Sequence, residues 1–302
     1  MTQRQANPDF AVLLEKLREE LRLLPDKPDE TPETTLACLW ALAAGYPLAV
    51  SQVSDFVPPV LDVSARTCLQ GLIEERLSGV PLAHLTGRQD FMGRVLLASP
   101  AALVPRRETE QLGFTAVRHL GTLAEERPLV VDVCTGAGNV ALGIAVHVPQ
   151  ARVHGADISE DAVALARSNA RFLDREDVQF RCGDLFAPFA EPLFQKAVDL
   201  ISCNPPYISS SRVEGMPQEI SFHEPKLAFD GGPFGVGVIR RMVNEAPTLL
   251  KPCGWLLLEV GAGQGAGLAR SLGADKRYDI VNTHEDAGGE IRVIAARLAP
   301  ND

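Results

Sequence analysis

Four times from residue 130 onward, a strand-length apolar run leads to a side chain that offers an accepting oxygen. Val130-Val131-Asp132-Val133 carries Asp132, and the run over residues 151–156 ends in Asp157. The run near 178–180 leads to Gly183-Asp184-Leu185-Phe186, and Ala197-Val198-Asp199-Leu200-Ile201-Ser202-Cys203 leads to Asn204. Helical stretches such as Ser159 to Phe172 separate them. Strands alternating with helices from Arg127 onward require a parallel sheet with right-handed crossovers, the doubly wound α/β arrangement. The last two apolar runs, 278–282 and 291–296, leave no room for a helix between them and read as an antiparallel hairpin at the sheet edge.

The chemistry sits at the strand ends. After the first strand, Cys134-Thr135-Gly136-Ala137-Gly138-Asn139 forms a glycine-containing turn before an apolar helix, and Gly136 and Gly138 let a ligand approach the backbone. A carboxylate at the end of the next strand, Asp157, is where a ribose diol is gripped. Asp184 can accept from an exocyclic amine; capping a helix is its plain structural alternative. In Asn204-Pro205-Pro206-Tyr207 two prolines stiffen the exit from the strand and remove two backbone donors. The Asn204 side-chain oxygen and the Pro205 carbonyl then form a receptor for a planar NH2 group, with Tyr207 as a flat face beside it. Standing alone the tetrapeptide is equally a surface turn.

Taken together, these residues resemble the HemK-type protein-(glutamine-N5) methyltransferases, the release factor glutamine methyltransferase family, from about Pro32 to Arg297. Gly79-Val80-Pro81-Leu82-Ala83-His84-Leu85-Thr86-Gly87, the stretch Phe91 to Glu110, Asn204-Pro205-Pro206-Tyr207-Ile208, Glu224-Pro225, and Leu256-Leu257-Leu258-Glu259-Val260-Gly261 carry the resemblance. It implies a seven-stranded Rossmann-like methyltransferase sheet with a terminal antiparallel hairpin, preceded by a small N-terminal helical bundle. It also implies S-adenosyl-L-methionine as cofactor, held by Asp132, Thr135, Gly136, Gly138, Asp157, Asp184 and Asn204. The implied catalytic residues are Asn204, Pro205 and Tyr207, and the implied partner is a peptide-chain release factor presenting its Gly-Gly-Gln loop. Two readings stay beside this one: a small-molecule methyl or alkyl transfer enzyme on the same scaffold, and a non-catalytic cofactor-binding adaptor. The chain departs from the family at Cys134, where the first loop glycine is usual, and at Arg107, where proline is usual.

Composition sets outer bounds. The 302 residues suit more than one unit, expected as an N-terminal helical bundle over 1–80, a linker with a short hairpin over 81–107 and a cofactor-binding catalytic domain over 108–302. Leucines at three- and four-residue steps from Phe10 to Leu24, and similar patterns over 35–44 and 63–77, supply the bundle helices. The hairpin is expected over 91–98, with a helix from Glu108 to Leu120. A formal charge of -10 argues against a duplex-DNA enzyme, although Arg88, Arg94, Arg106 and Arg107 are close enough in sequence to form a local basic patch. Six dispersed cysteines indicate neither disulfides nor a metal site. The first eight residues have no secretory core and the most apolar window, 36–50, is too short and broken to span a bilayer, so a cytoplasmic protein with no membrane partner is expected. Oligomeric state is not legible.

Overall fold

Local signals start each N-terminal helix. In the computed structural model, which describes residues 7–213 and 215–300, Asn7 caps α1 (Pro8–Glu20) by accepting from the backbone N–H groups of Asp9 and Phe10. The first six residues, part of the segment read as lacking a secretory signal, lie outside that range. Thr31 and Thr34 form a capping box at the head of α2 (Pro32–Ala43), and Asp62 caps α3 (Val63–Leu77). Phe10, Leu14 and Leu17 pack against Leu36, Leu39, Trp40, Leu69 and Ile73 in a core of their own. A short α4 (Leu82–Thr86) then leads into a hairpin of β1 (Arg88–Phe91) and β2 (Arg94–Leu97). This hairpin starts three residues before the expected 91–98. Its turn is Met92-Gly93, with φ of 47° and 73°, the left-handed pair that a tight two-residue hairpin needs.

The rest of the chain is α5 (Glu110–Leu120), β3 (Leu129–Val133), α6 (Asn139–His147), β4 (Arg152–Asp157), α7 (Glu160–Phe172), β5 (Gln179–Cys182) and β6 (Val198–Cys203). There follow α8 (Ser210–Val213), α9 (Gln218–His223), α10 (Gly237–Leu249), β7 (Leu250–Glu259), α11 (Gly265–Ala274), β8 (Tyr278–Glu285) and β9 (Ile291–Leu298). The seven-stranded sheet runs β5-β4-β3-β6-β7-β9-β8, parallel as far as β7 and antiparallel thereafter, so the terminal hairpin is present. Period-two side-chain alternation divides the core. Val130, Leu200 and Leu257 face α5 and α6, whereas Val131, Ile201 and Leu256 face the opposite cluster with Met242 and Leu249 of α10.

The strand order reverses beside β3, and Val133 is in register with Ala156 of β4 and Cys203 of β6. Three strand ends therefore open side by side at a switch point, where open α/β sheets bind ligands. The chain between β6 and α10 folds over this edge. Gly235, at φ 66°, lies so close to the tetrapeptide that a Cβ there would stand 2.1 Å from the Tyr207 carbonyl oxygen, which excludes every larger residue.

Buried ion pairs fix this overlying segment to the N-terminal helices. Glu219 of α9 binds Lys27, and also Arg76 of α3 at 3.1 Å, while Arg76 reaches Glu30 at 3.2 Å. Arg106 binds Glu224 at 2.8 Å and Asp26 at 3.2 Å. These contacts correct the basic-patch expectation. Arg106 is buried and neutralised, the exposed Arg107 pairs with Asp29, and Arg88 lies over the Phe172 ring, so only Arg94 of the four is exposed without an acidic or aromatic partner among the described residues. Among the described residues no helix is long and apolar enough to cross a membrane, and no cluster of three or more metal-ligating side chains occurs.

Candidate functional site

Two cavities meet at Asn204. The larger, about 340 Å³, lies over the ends of β3, β4 and β6 and is walled by Asp132, Cys134, Thr135, Gly136, Asp157, Ile158, Asp184 and Leu185. The smaller, about 120 Å³, is lined by Pro205, Tyr207, Met216, Ile220, Phe229 and Glu259. Asn204 and Thr109 belong to both.

Asp132 forms the floor of the larger cavity. It is 1% exposed, and its two oxygens accept from the hydroxyls of Thr135 at 2.6 Å and Ser202 at 2.7 Å. Burial pushes its carboxyl up to about 6, against the pull of those two bonds. With both oxygens occupied inward, Asp132 fixes the turn that carries Thr135 and Gly136. Asp157 accepts from the backbone N–H groups of Gly136 at 2.9 Å and Ser159 at 3.0 Å. Burial raises its pKa and these donors oppose the rise. Each carboxylate oxygen can accept more than one bond, so Asp157 retains capacity toward the cavity. Asp184 lines the same wall and is bound to Arg241 at 3.0 Å, an exposed pair that a ligand amine would have to share.

Gly138 is the one residue assigned to the cofactor that does not line the cavity. It begins α6 with φ of 78°, and a Cβ there would stand 2.8 Å from the Phe180 ring and 3.0 Å from Ala166. It permits close packing of α6 against α7 and β5, and it reaches the ligand only by shaping the turn. The neighbouring departure, Cys134, sits at φ of 55°, where glycine is favoured. Cys134→Gly should therefore leave cofactor affinity unchanged or improved, because it relieves a left-handed side chain costing about 1 kcal/mol and opens the cavity wall. Calorimetry of the two proteins checks this; lost binding in a folded variant would give the thiol a role of its own.

In the smaller cavity the tetrapeptide is held from several sides. Asn204 Nδ2 donates to Thr109 Oγ1 at 3.2 Å, Tyr207 donates its hydroxyl to Glu259 at 3.3 Å, and Gln264 donates to the Tyr207 carbonyl at 3.0 Å. Burial raises the Tyr207 hydroxyl pKa further, so the ring stays neutral. Among the described residues no donor takes up the Pro205 carbonyl, which leaves it free to accept. Sequence reasoning assigned no site role to Thr109, Arg106, Arg241 or Glu259, although all but Arg241 lie in stretches that carry the resemblance. Their partners are distant in sequence.

The cavity's size, its carboxylates and its apolar walls suit a nucleoside with a charged tail such as S-adenosyl-L-methionine. Asp157, Asp184, Thr135 and Gly136 all line it. The family described as a methyltransferase domain matches residues 126–262. A release factor glutamine methyltransferase of Moorella thermoacetica is 34% identical over 274 residues, covering 89% of this chain and 93% of its own length. One from Streptomyces coelicolor is 31% identical over 288 residues, covering 95% and 99%. Among solved structures, a human methyltransferase 10 domain containing protein is similar with a TM-score of 0.50 at 14% identity, over 70% of this chain and 90% of that one, a likeness of fold.

Proposed function

The chain belongs to the release factor glutamine methyltransferase family, and from that premise we propose that it moves the methyl group of S-adenosyl-L-methionine to the side-chain nitrogen of the glutamine in a release factor's Gly-Gly-Gln loop. The observation that carries the reading is the meeting of the two cavities at Asn204: a cofactor-sized chamber on one side, and on the other a narrow one with a free carbonyl, an amide and a tyrosine ring. The bound cofactor supplies an electrophilic methyl on a cationic sulfur. The protein's own residues act on the amide.

An amide nitrogen is a weak nucleophile because its lone pair is delocalised into the carbonyl. Asn204 Oδ1 and the Pro205 carbonyl accept its two N–H bonds and hold the nitrogen toward the methyl carbon, a positioning effect that can be worth several kcal/mol. Tyr207, locked by Glu259 and Gln264, confines the plane of the amide. With the cofactor bound, the amide nitrogen would gain its methyl group as the S–C bond breaks, leaving S-adenosylhomocysteine, and the surplus proton on nitrogen would pass to solvent as the site opens. Apolar walls at Ile158, Leu185 and Phe229 keep water from the nucleophile.

The test is incubation of the protein with methyl-labelled cofactor and a release factor, followed by mass spectrometry of the Gly-Gly-Gln peptide. One label on the glutamine is the expected result. Cofactor turnover with an unlabelled release factor and a labelled small amine or amide would instead assign the chain to small molecules.

A further inference from the structure

Asn204 can lie in its pocket two ways, and only one of them accepts a hydrogen bond from a substrate NH2 group. The oxygen and nitrogen of an amide have nearly the same shape, so the surrounding network decides which faces where. Here Nδ2 donates to Thr109 Oγ1 at 3.2 Å. Thr109 is 2% exposed, in the short 3-10 turn Arg107–Thr109 ahead of α5. A hydroxyl that accepts from Asn204 is free to donate its own hydrogen elsewhere, and the carboxyl of Glu259, which lines the same cavity, has an oxygen without a donor among the described residues.

Glu259 ends β7 at the level of Val293 on β9 and is 1% exposed. Its Oε1 accepts from Tyr207, and its Oε2 has no well-aligned donor among the described residues. A fully buried acceptor left partly open at the wall of the substrate cavity is costly to keep, and satisfying Asn204 through Thr109 gives it a use. The charged and titratable groups facing it are Glu108 from the same turn, Arg292 from β9 and Tyr207 from the tetrapeptide. Glu108 and Arg292 are themselves paired at 2.9 Å. Asp26 and Arg106 also line the cavity and are paired with each other.

Building on the amide methyl transfer above, we propose that Glu259 is the positioning residue that sets the polarity of Asn204. In this relay the carboxylate accepts a hydrogen bond from the Thr109 hydroxyl, the Thr109 oxygen therefore accepts from Nδ2, and Asn204 Oδ1 is left facing the substrate NH2 group. A neutral partner at 259 breaks the order. A carboxamide or a protonated carboxyl can donate to Thr109, which then donates to Asn204 and turns the amide so that it presents NH2 to NH2. Burial pushes Glu259 up to about 7, with Thr109 opposing the rise, Glu108 adding to it and Arg292 holding it back. The wild-type rate accordingly rises as pH increases through about 7, as the acceptor form is populated.

The experiment is single-turnover methylation of a release factor by the full chain and its Glu259→Gln, Glu259→Asp, Thr109→Val and Glu259→Gln/Thr109→Val variants, with cofactor dissociation constants as the control. Glu259→Gln should lower the rate by about a hundredfold, the scale of a misplaced reacting group, with cofactor affinity within about twofold and a flattened pH profile. Glu259→Asp should recover part of the rate together with the acid limb. The double variant should be no slower than the slower single one, because Glu259 acts only through Thr109. A full rate in Glu259→Gln, or losses that multiply in the double variant, overturns the proposal. If Glu259→Gln does not fold, Thr109→Val decides: unchanged rate and pH profile in that variant sink the relay. An inactive wild type would count against the proposed reaction, and is distinguished by the absence of any label before the variants are compared.

Discussion

Asn204→Ala is expected to cut the single-turnover rate by about a hundredfold or more while leaving cofactor affinity within about twofold. The asymmetry follows from position. Asn204 stands where the two cavities join, whereas the groups that can grip the cofactor, Asp157, Thr135 and Gly136, stand on the strand ends to one side. Asn204→Asp is the sharper variant, since a carboxylate still accepts from NH2 but no longer donates to Thr109. It should retain part of the rate that the alanine loses. Rapid-quench rates and calorimetry on both variants make the comparison; full activity in Asn204→Ala would reduce the tetrapeptide to a turn.

The second large effect is on stability. Arg76 is 1% exposed and its guanidinium joins Glu30 and Glu219, so Arg76→Ala strands two buried carboxylates with only Lys27 between them. Removing one partner of a buried ionic cluster costs about 3–5 kcal/mol, much more than an exposed pair would. For Glu219, burial raises the pKa but Lys27 and Arg76 outweigh it and hold the carboxyl below its usual range. Its contribution is therefore present above the ordinary glutamate pKa and is lost as pH falls through the depressed one. The Arg76→Ala deficit should shrink in acid for that reason. Denaturant unfolding at neutral and acidic pH measures both, and a loss under about 1 kcal/mol at neutral pH would show that the cluster does not join the two regions.

The sheet could be read from the sequence because its signals are local. A buried parallel strand announces itself as a β-branched run, and the residue at its end is the next one along the chain. That is how Asp157, Asp184 and Asn204 were placed on one edge, and why the terminal hairpin was found. Asp132 and Gly138 show the limit of the same reasoning. Being at the right turn did not reveal that the Asp132 oxygens are spent on Thr135 and Ser202, or that Gly138 faces Phe180. The residues that meet the tetrapeptide around the smaller cavity were beyond reach for another reason. Thr109 meets Asn204 across 95 residues and Arg106 meets Glu224 across 118, distances over which no periodicity carries information. The six-residue α9 is also too short to display a helical repeat.

The same long separations set an order in time. Arg76 precedes its partner Glu219 by 143 residues and Lys27 precedes it by 192. A ribosome adding roughly 5–20 residues per second needs on the order of ten to forty seconds to cover that gap. Late in it, α1 to α3 have all been made while the two cations still lack their final carboxylate. The helices made first thus wait for their lock, and it is supplied by the segment that roofs the amide site.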